Sequence, residues 1–454
     1  HRRLSIVDLS PEGHQPMASA TGRYVTVFNG EIYNFERVRR ELVASGRAPA
    51  FRGHSDTEVM LAAFEAWGVA GAIPRFIGMF AIAIWDRSER TLTLVRDRLG
   101  VKPLFYGSTV EGTFAFGSEL TPLTLSPGFE RHVEPSAVGA LLRLGRIPAP
   151  HSIYRGVSKV VPGTYVVLRG PRAQATVHTY WSPHAIAVDG LTHPLDVSHG
   201  DAEEALLELL RDSVELRMIA DVPLGGFLSG GIDSSLVVAL MQERSTRPVR
   251  TFSIGFHEAA YDEAPHAAAV ARHLRTDHTE LYVSPQDALD VVPRLATMYD
   301  EPFADSSQIP TFLVSELARR SVTVALSGDG GDELFAGYRQ YLSAPRLARL
   351  ASTPRMLREV AAAGLSLAAR RAPLALLGRA RRVFPQRVRS RLTEWNLQRA
   401  IAILSRDTAA QIYGDIGVHW HRPEMVVPAA RAIAATDDLG EKASFLRTMM
   451  YSDL

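Results

Sequence analysis

The stretch Leu228-Ser229-Gly230-Gly231-Ile232-Asp233-Ser234-Ser235 follows the apolar run Leu224 to Leu228 and opens a segment of helical periodicity from Ser234 to Arg244. Two adjacent glycines let successive backbone N–H groups converge on an anion, and the N-terminus of the helix behind them carries about half a positive charge. The serine hydroxyls add donors. A Walker loop is excluded, because the GxxxxGK[ST] spacing and its lysine are missing. Asp233 stands where a carboxylate suits a Mg²⁺ ion held on substrate phosphates. A plain strand-to-helix turn needs neither an Asp nor three Ser, so a phosphate cradle is the expectation.

Outward from this loop, strand and helix signals alternate. Val249 to Ile254, His278 to Val283 and Val322 to Leu326 read as strands, with helices over Glu263 to Leu274, Pro285 to Tyr299 and Ile309 to Arg320. That alternation implies an open parallel sheet with helices on both faces, which binds ligands at the carboxyl ends of its strands. A second loop, Ser327-Gly328-Asp329-Gly330-Gly331-Asp332-Glu333, follows the last strand and precedes a helix. Alone it would pass for a solvated turn. Beside the first loop it is expected to close over a nucleotide, with Asp233 and Asp332 sharing a cation.

Residues 1 to about 180 read differently, as short apolar runs separated by turn chemistry. Arg23 to Phe28 alternates like a strand and is expected to stop at the turn-prone Asn29-Gly30. A helix is expected from Asn34 to Ser45, and Ser55-Asp56-Thr57-Glu58 reads as a capping box opening another to Trp67. Gly78 to Trp85 pairs with Thr91 to Val95, and further strands fall near 103–106, 113–116 and 164–168. Residues 182–200 mix Pro, Gly, His and Asp without periodicity and read as a linker. From Arg339 the chain reads as helical.

Composition bounds the function. At about 150 residues per domain, 454 residues suggest roughly three domains. Fifty basic and 49 acidic residues leave a net charge of +1, so no global field argues for nucleic acid or an anionic membrane. No apolar run approaches membrane-spanning length, and a cytoplasmic location is expected. With no cysteine among its residues, the sequence excludes disulfides, thiolate metal sites and a cysteine nucleophile within it.

SGGIDSS, TFSIGF at Thr251 to Phe256, YDEAPHA from Tyr261 and LSGDGGDELFAGY at Leu326 to Tyr338 resemble the synthetase half of glutamine-hydrolysing asparagine synthetases. The resemblance implies an α/β ATP pyrophosphatase domain of the adenine nucleotide alpha-hydrolase type with a helical C-terminal part. By position, Leu228 and Ile254 would flank adenine through backbone groups. Ser229, Gly230, Gly231, Ser234 and Ser235 would hold pyrophosphate, Ser327 and Gly328 would contact the nucleotide, and Asp233 and Asp332 would bind Mg²⁺. Asp329 stands where the best-known members carry a Glu implicated in forming the aspartyl-adenylate; the carboxylate remains, one methylene shorter.

The segments HRRLSIVDL from His1, GHQPM from Gly13, NGEIYN from Asn29 and Ser55 to Glu58 resemble a class II glutaminase, an α+β domain of the N-terminal-nucleophile type. Glutamine needs a cation for its carboxylate, an anion for its ammonium and donors for the tetrahedral oxyanion. By position these are Arg3, Asp56, and the Asn29 side chain with the Gly30 N–H, while Glu31 helps hold the substrate. Taken singly, Asn29-Gly30 is a hairpin turn, Asp56 a helix-start residue and Arg3 a surface charge. Their joint order favours the glutaminase.

The family's nucleophile is an N-terminal cysteine, which this sequence does not contain. A fragment lacking both ends is expected, with a glutaminase that has lost its nucleophile as the other explanation; as written, the chain is not expected to hydrolyse glutamine. The organisation expected is 1–181 glutaminase, 182–200 linker and 201–454 synthetase. The activity implied is ATP-dependent conversion of aspartate to asparagine, with glutamine, aspartate and ATP as small-molecule partners, Mg²⁺ as cofactor, a homodimer allowed, and neither nucleic acid nor membrane. Rivals are a β-lactam synthetase-like cyclase, an amidotransferase for another carboxylate, and a nucleotide-sensing paralogue without catalysis. The arginines between Ala369 and Arg391 read as a solvated helical face, and His419-Trp420-His421 lacks zinc-site spacing. Arg98 to Pro103 resembles a segment near the family's domain interface, and its residue types give no function.

Overall fold

The computed structural model describes residues 1–170, 174–258, 262–371, 394–433, 439 and 443–453. Tyr261 and most of the arginine-rich stretch therefore lie outside the described residues. Two compact units form: His1–Val133 with Ala149–Pro183 and Leu195–Asp329, and Glu134–Pro148 with His184–Pro194 and Gly330–Leu454.

In the first unit the strands are β1 (Met17–Ala18), β2 (Tyr24–Ile32), β3 (Gly78–Asp86), β4 (Thr91–Arg96), β5 (Phe105–Ser108), β6 (Phe114–Gly117), β7 (Val157–Lys159), β8 (Thr164–Leu168) and β9 (Thr176–Thr179), then β10 (Leu224–Phe227), β11 (Arg250–Phe256), β12 (Asp277–Val283) and β13 (Val324–Leu326). An antiparallel sheet runs β1-β2-β3-β4-β8-β9, and a smaller one runs β6-β5-β7. The alternation of β3 explains why its run is apolar throughout. Phe80, Ile82 and Ile84 face the helices Phe35–Ala44 and Asp56–Ala72, where Phe28, Ile32, Leu42, Phe64 and Phe76 complete one core. Ala81 and Ala83 face the other way, joining Leu94 and Val166 against Tyr106, Phe114 and Phe116 of the smaller sheet. Small residues on that side let the two sheets pack closely.

Three expectations are corrected in this region. Strand β2 does not stop at Asn29-Gly30; it continues to Ile32, with Asn29 opposite Ala81 and Gly30 opposite Phe80. Residues 182–200, read as irregular, carry a helix at Pro183–Thr192, and another begins at His199. The helix from Asp56 breaks at Gly68 (φ 70°), one residue past its expected end. Ser55 caps it by accepting the Glu58 N–H at 3.2 Å, but the Glu58 carboxylate reaches the N–H groups of Arg52 and Gly53 rather than closing a capping box.

The four strands β12-β11-β10-β13 form a wholly parallel sheet in that order. From β10 the chain lays β11 and β12 to one side and then places β13 on the other, so the order reverses at β10. Carboxyl-edge loops diverge at such a point and open a crevice for ligands.

The second unit is helical. Tyr341, Ile412, Tyr413, Phe445 and Met449 make its core. Buried Asp415 pairs with Arg143 at 2.8 Å and Arg406 at 2.5 Å. The Asp453 carboxylate accepts the hydroxyls of Tyr341 (2.7 Å) and Tyr413 (2.6 Å), docking the helix Phe445–Asp453.

Candidate functional site

The loop after β10 is ordered by its serines. Ser234, buried in the first turn of the helix Ile232–Arg244, accepts the Ser229 N–H at 3.2 Å and lies 2.9 Å from the Ser229 hydroxyl. The Ser229 hydroxyl in turn accepts the Gly231 N–H at 3.2 Å. Gly230 takes φ +81°, and a β-carbon there would lie 2.6 Å from the Ala267 nitrogen, so the loop presses against the helix Ala264–Leu274. Gly231 is the N-cap and brings no side chain to the first-turn N–H groups. Asp233 is half-buried in that turn. Ser235 closes it, donating its N–H to the Gly231 carbonyl at 3.1 Å.

Strands β10 and β13 are neighbours, so the second loop emerges beside the first. A β-carbon on Gly328 would lie 2.8 Å from the Ser234 nitrogen and 3.0 Å from the Asp233 carbonyl carbon. Ser327, Gly328 and Asp329 thus lie with the loop after β10; the exposed Asp329 carboxylate accepts the Ser327 hydroxyl at 2.8 Å. Leu228 is buried and donates its N–H to the Phe252 carbonyl at 2.9 Å, and Ile254 is half-buried on β11. Asp332 sits in the second unit, in the short helix Gly331–Phe335. Among the described residues, no group of three or more His, Cys, Asp or Glu side chains stands ready for a metal. A separate opening lined by Arg250, Asp277 and Arg320 lies at the amino ends of β11 and β12, the opposite edge from the loops, and holds none of the expected residues.

The other candidate site is a cavity walled by Arg3, Asn29, Gly30, Glu31 and Asp56, all five residues expected for glutamine. The Arg3 guanidinium donates to the carbonyls of Val7 (2.6 Å) and Asp8 (2.8 Å). Asp56 is buried and accepts the Ile32 N–H at 3.0 Å. Burial pushes its pKa up to about 6, against the Ile32 and Thr57 amides and the charge of Arg3. Burial, then the charge of Asp56, pushes Glu31 up to about 7, against Lys102 and Arg217. Gly30 takes φ +146°, and a β-carbon there would lie 2.0 Å from the Met79 carbonyl oxygen. The Asn29 amide donates to Ser118 at 3.0 Å.

Several residues of this cavity escaped the sequence. Lys102 lines it, held there because buried Asp97 accepts the N–H groups of Lys102 (2.9 Å), Val101 (2.9 Å) and Phe80 (3.1 Å). Gln15 and Thr57 also line it; Gln15 accepts the Phe28 N–H at 2.6 Å. Gln15, Thr57 and Lys102 lie in the stretches GHQPM, Ser55 to Glu58 and Arg98 to Pro103 already singled out for their resemblance, but their residue types assigned them no role, and an acid following a strand and preceding Gly100 was the signal available for Asp97.

The Ser229–Ser235 loop thus lies at the switch point of the parallel sheet, and a separate cavity brings Arg3 together with the carboxylates of Glu31 and Asp56. The asparagine synthase family model matches residues 205–454, and that of the glutamine amidotransferase domain matches residues 1–181. The chain belongs to the asparagine synthase family. It is 35% identical over 378 residues to a Methanocaldococcus jannaschii protein described as a glutamine-hydrolysing asparagine synthetase, covering 79% of this chain and 70% of that one. It is 35% identical over 340 residues to asparagine synthetase 1 of Bacillus subtilis, covering 75% of this chain and 51% of that one. A Gibberella zeae protein named amidase chry2 is 30% identical over 370 residues, covering 74% and 51%. The chain thus spans 70% of the first relative and about half the length of the other two.

Proposed function

We propose that the protein converts aspartate to asparagine at the expense of ATP, with ammonia as the attacking nitrogen and, where the family's cysteine is present, glutamine as its source. The observation that carries this reading is the contact of Gly328 with the Asp233–Ser234 turn at the point where the strand order reverses. An aspartate carboxylate oxygen attacks the α-phosphorus of ATP, pyrophosphate leaves, and ammonia then displaces AMP from the acyl carbon, losing a proton. The first-turn N–H groups and the loop serines receive the pyrophosphate charge. The Leu228 N–H is spent on Phe252, so its carbonyl is the group for the adenine amino function.

Mg²⁺ belongs to the proposal. The ion takes one or two carboxylates together with phosphate oxygens, and Asp233, half-buried beside the phosphate-loop amides, fits that donor set; Asp332, the second carboxylate that the family resemblance implies, belongs to the other unit. When bound it would neutralise charge on the leaving pyrophosphate. Asp329 is proposed to act on the acyl-adenylate step. In the cavity, Arg3 takes the glutamine α-carboxylate, Asp56 and Glu31 the α-ammonium, and Asn29 with the Gly30 N–H the oxyanion. The cysteine thiol that attacks the amide in this family is not among the 454 residues, so these groups are assigned to holding glutamine.

Among the described residues, no helix is long and apolar enough to cross a membrane. A cytoplasmic site of action and the domain boundaries 1–181, 182–200 and 201–454 form part of the same proposal. The test supplies ATP, Mg²⁺, ammonium and aspartate and follows AMP, pyrophosphate and asparagine. Formation of all three supports the reading. Pyrophosphate released only with a different acid would replace aspartate as acceptor, and no release with any acid would favour a nucleotide sensor.

A further inference from the structure

The cavity formed by residues 1–181 is held from outside by a ten-residue stretch of the asparagine synthase region, Asp212 to Asp221, which leads directly into β10 and the phosphate loop. Asp212 forms an ion pair with Arg37. The guanidinium of Arg217 lies 4.5 Å over the Tyr33 ring. Asp221 makes the densest set of contacts: its Oδ2 accepts the Asp8 N–H at 2.7 Å and lies 2.7 Å from His54 Nε2, while its own N–H donates to the Ile6 carbonyl at 2.9 Å.

These contacts bear on both ends of the amino-acid site. Asp8 is fully buried at φ +58°, and its carboxylate accepts the N–H of His54 at 3.0 Å and the hydroxyl of Ser10 at 2.5 Å. The Asp8 carbonyl is also one of the two that fix the Arg3 guanidinium. His54 stands two residues before Asp56. A single carboxylate therefore ties the segment presenting the cation to the segment presenting the anion. We infer that Asp221 is a positioning residue for the amino-acid cavity, and that the strand leading to the phosphate loop and this cavity hold one another in place. The inference rests on the proposed use of the cavity for glutamine.

The charged groups facing His54 are Asp221, Asp8 and, opposing them, Arg39. The Asp221 hydrogen bond leads in raising the His54 pKa. A pKa raised in the folded state means that the contact contributes fully at low pH and fades as pH rises through the folded value.

The experiment uses the full chain with Asp221→Ala and Asp221→Asn. Glutamine affinity is read by titration calorimetry at pH 6 and pH 8, and backbone exchange by mass spectrometry over residues 3–8 and 54–57, with 91–96 as internal reference. Asp221→Ala is expected to weaken glutamine about tenfold and to speed exchange in the two segments but not in the reference strand. Asp221→Asn keeps an acceptor for the Asp8 N–H yet cannot pair with a charged imidazole, so its loss relative to the parent should be larger at pH 6 than at pH 8. A variant pair that binds glutamine within twofold of the parent at both pH values overturns the inference. If the parent itself binds no glutamine, the proposed use of the cavity fails, and exchange alone decides: unchanged protection of 3–8 and 54–57 in Asp221→Ala would overturn the brace.

Discussion

Gly328 and the amide of Ser234 are in direct contact: a β-carbon on Gly328 would lie 2.8 Å from that nitrogen, with backbone rather than a yielding side chain in its way. The two loops of the parallel sheet are therefore fitted to one another at the position of a hydrogen atom. Gly328→Ala should force them apart at a cost of ~1–3 kcal/mol in stability. ATP affinity should fall at least about tenfold, as one end of the cradle moves away from the other. Calorimetric titration with ATP checks it, and unchanged affinity would show that the loops serve separate ligands.

Ser234 carries the order of the phosphate loop. Its hydroxyl accepts from the Ser229 amide and meets the Ser229 hydroxyl, and it is buried. Ser234→Ala leaves the Ser229 N–H without its acceptor, which should cost about 1–3 kcal/mol in urea unfolding. Nucleotide binding should weaken with it, whereas glutamine binding should not. Equal weakening of both ligands would mean a general loss of fold.

The strength of the sequence reading in the second half has a physical basis. Strands β10 to β13 are short apolar-rich runs that alternate with helices of clear periodicity, one of them opened by the Ser284–Asp287 capping box, so the period was legible. Asn29-Gly30 failed for the opposite reason. The dipeptide suits a tight turn, but here the glycine serves the close approach of β3: Gly30 faces Phe80, and a β-carbon on it would run into the Met79 carbonyl oxygen. Chain neighbours do not reveal that approach. Lys102 lay in the Arg98 to Pro103 segment, but its role was hidden because it is aimed by Asp97 through backbone amides. Asp221 gave no signal either, its partners Asp8 and His54 being 213 and 167 residues away.

Gly30→Ala follows from the same crowding. A β-carbon 2.0 Å from a carbonyl oxygen, at φ +146°, has no side-chain motion to relieve it. Overpacking and backbone strain together should cost roughly 3 kcal/mol or more. The loss should appear as a lower urea midpoint, together with a loss of glutamine binding. A variant as stable as the parent would show that β2 and β3 part more readily than this ladder allows.

Glu31 and Asp56 give the cavity a pH dependence whose sign differs for binding and for folding. Their pKa values, about 7 and about 6, are raised chiefly by burial, and in Glu31 by the neighbouring carboxylate as well. An α-ammonium needs them ionised, so glutamine affinity should rise with pH through about 6 to 7, and binding below that window should release protons. Folding runs the other way. Unfolded carboxylates titrate near ~4, so between about 4 and 7 the folded chain holds more protons than the unfolded one, and stability falls as pH rises. Glu31→Gln removes its share of that loss: the variant should gain thermal midpoint relative to the parent on going from pH 4 to pH 8, while binding glutamine more weakly at pH 8. Titrations in buffers of different ionisation enthalpy count the released protons. A parent affinity that stays flat from pH 5.5 to 8 would remove this pair of carboxylates from the recognition of the ammonium group.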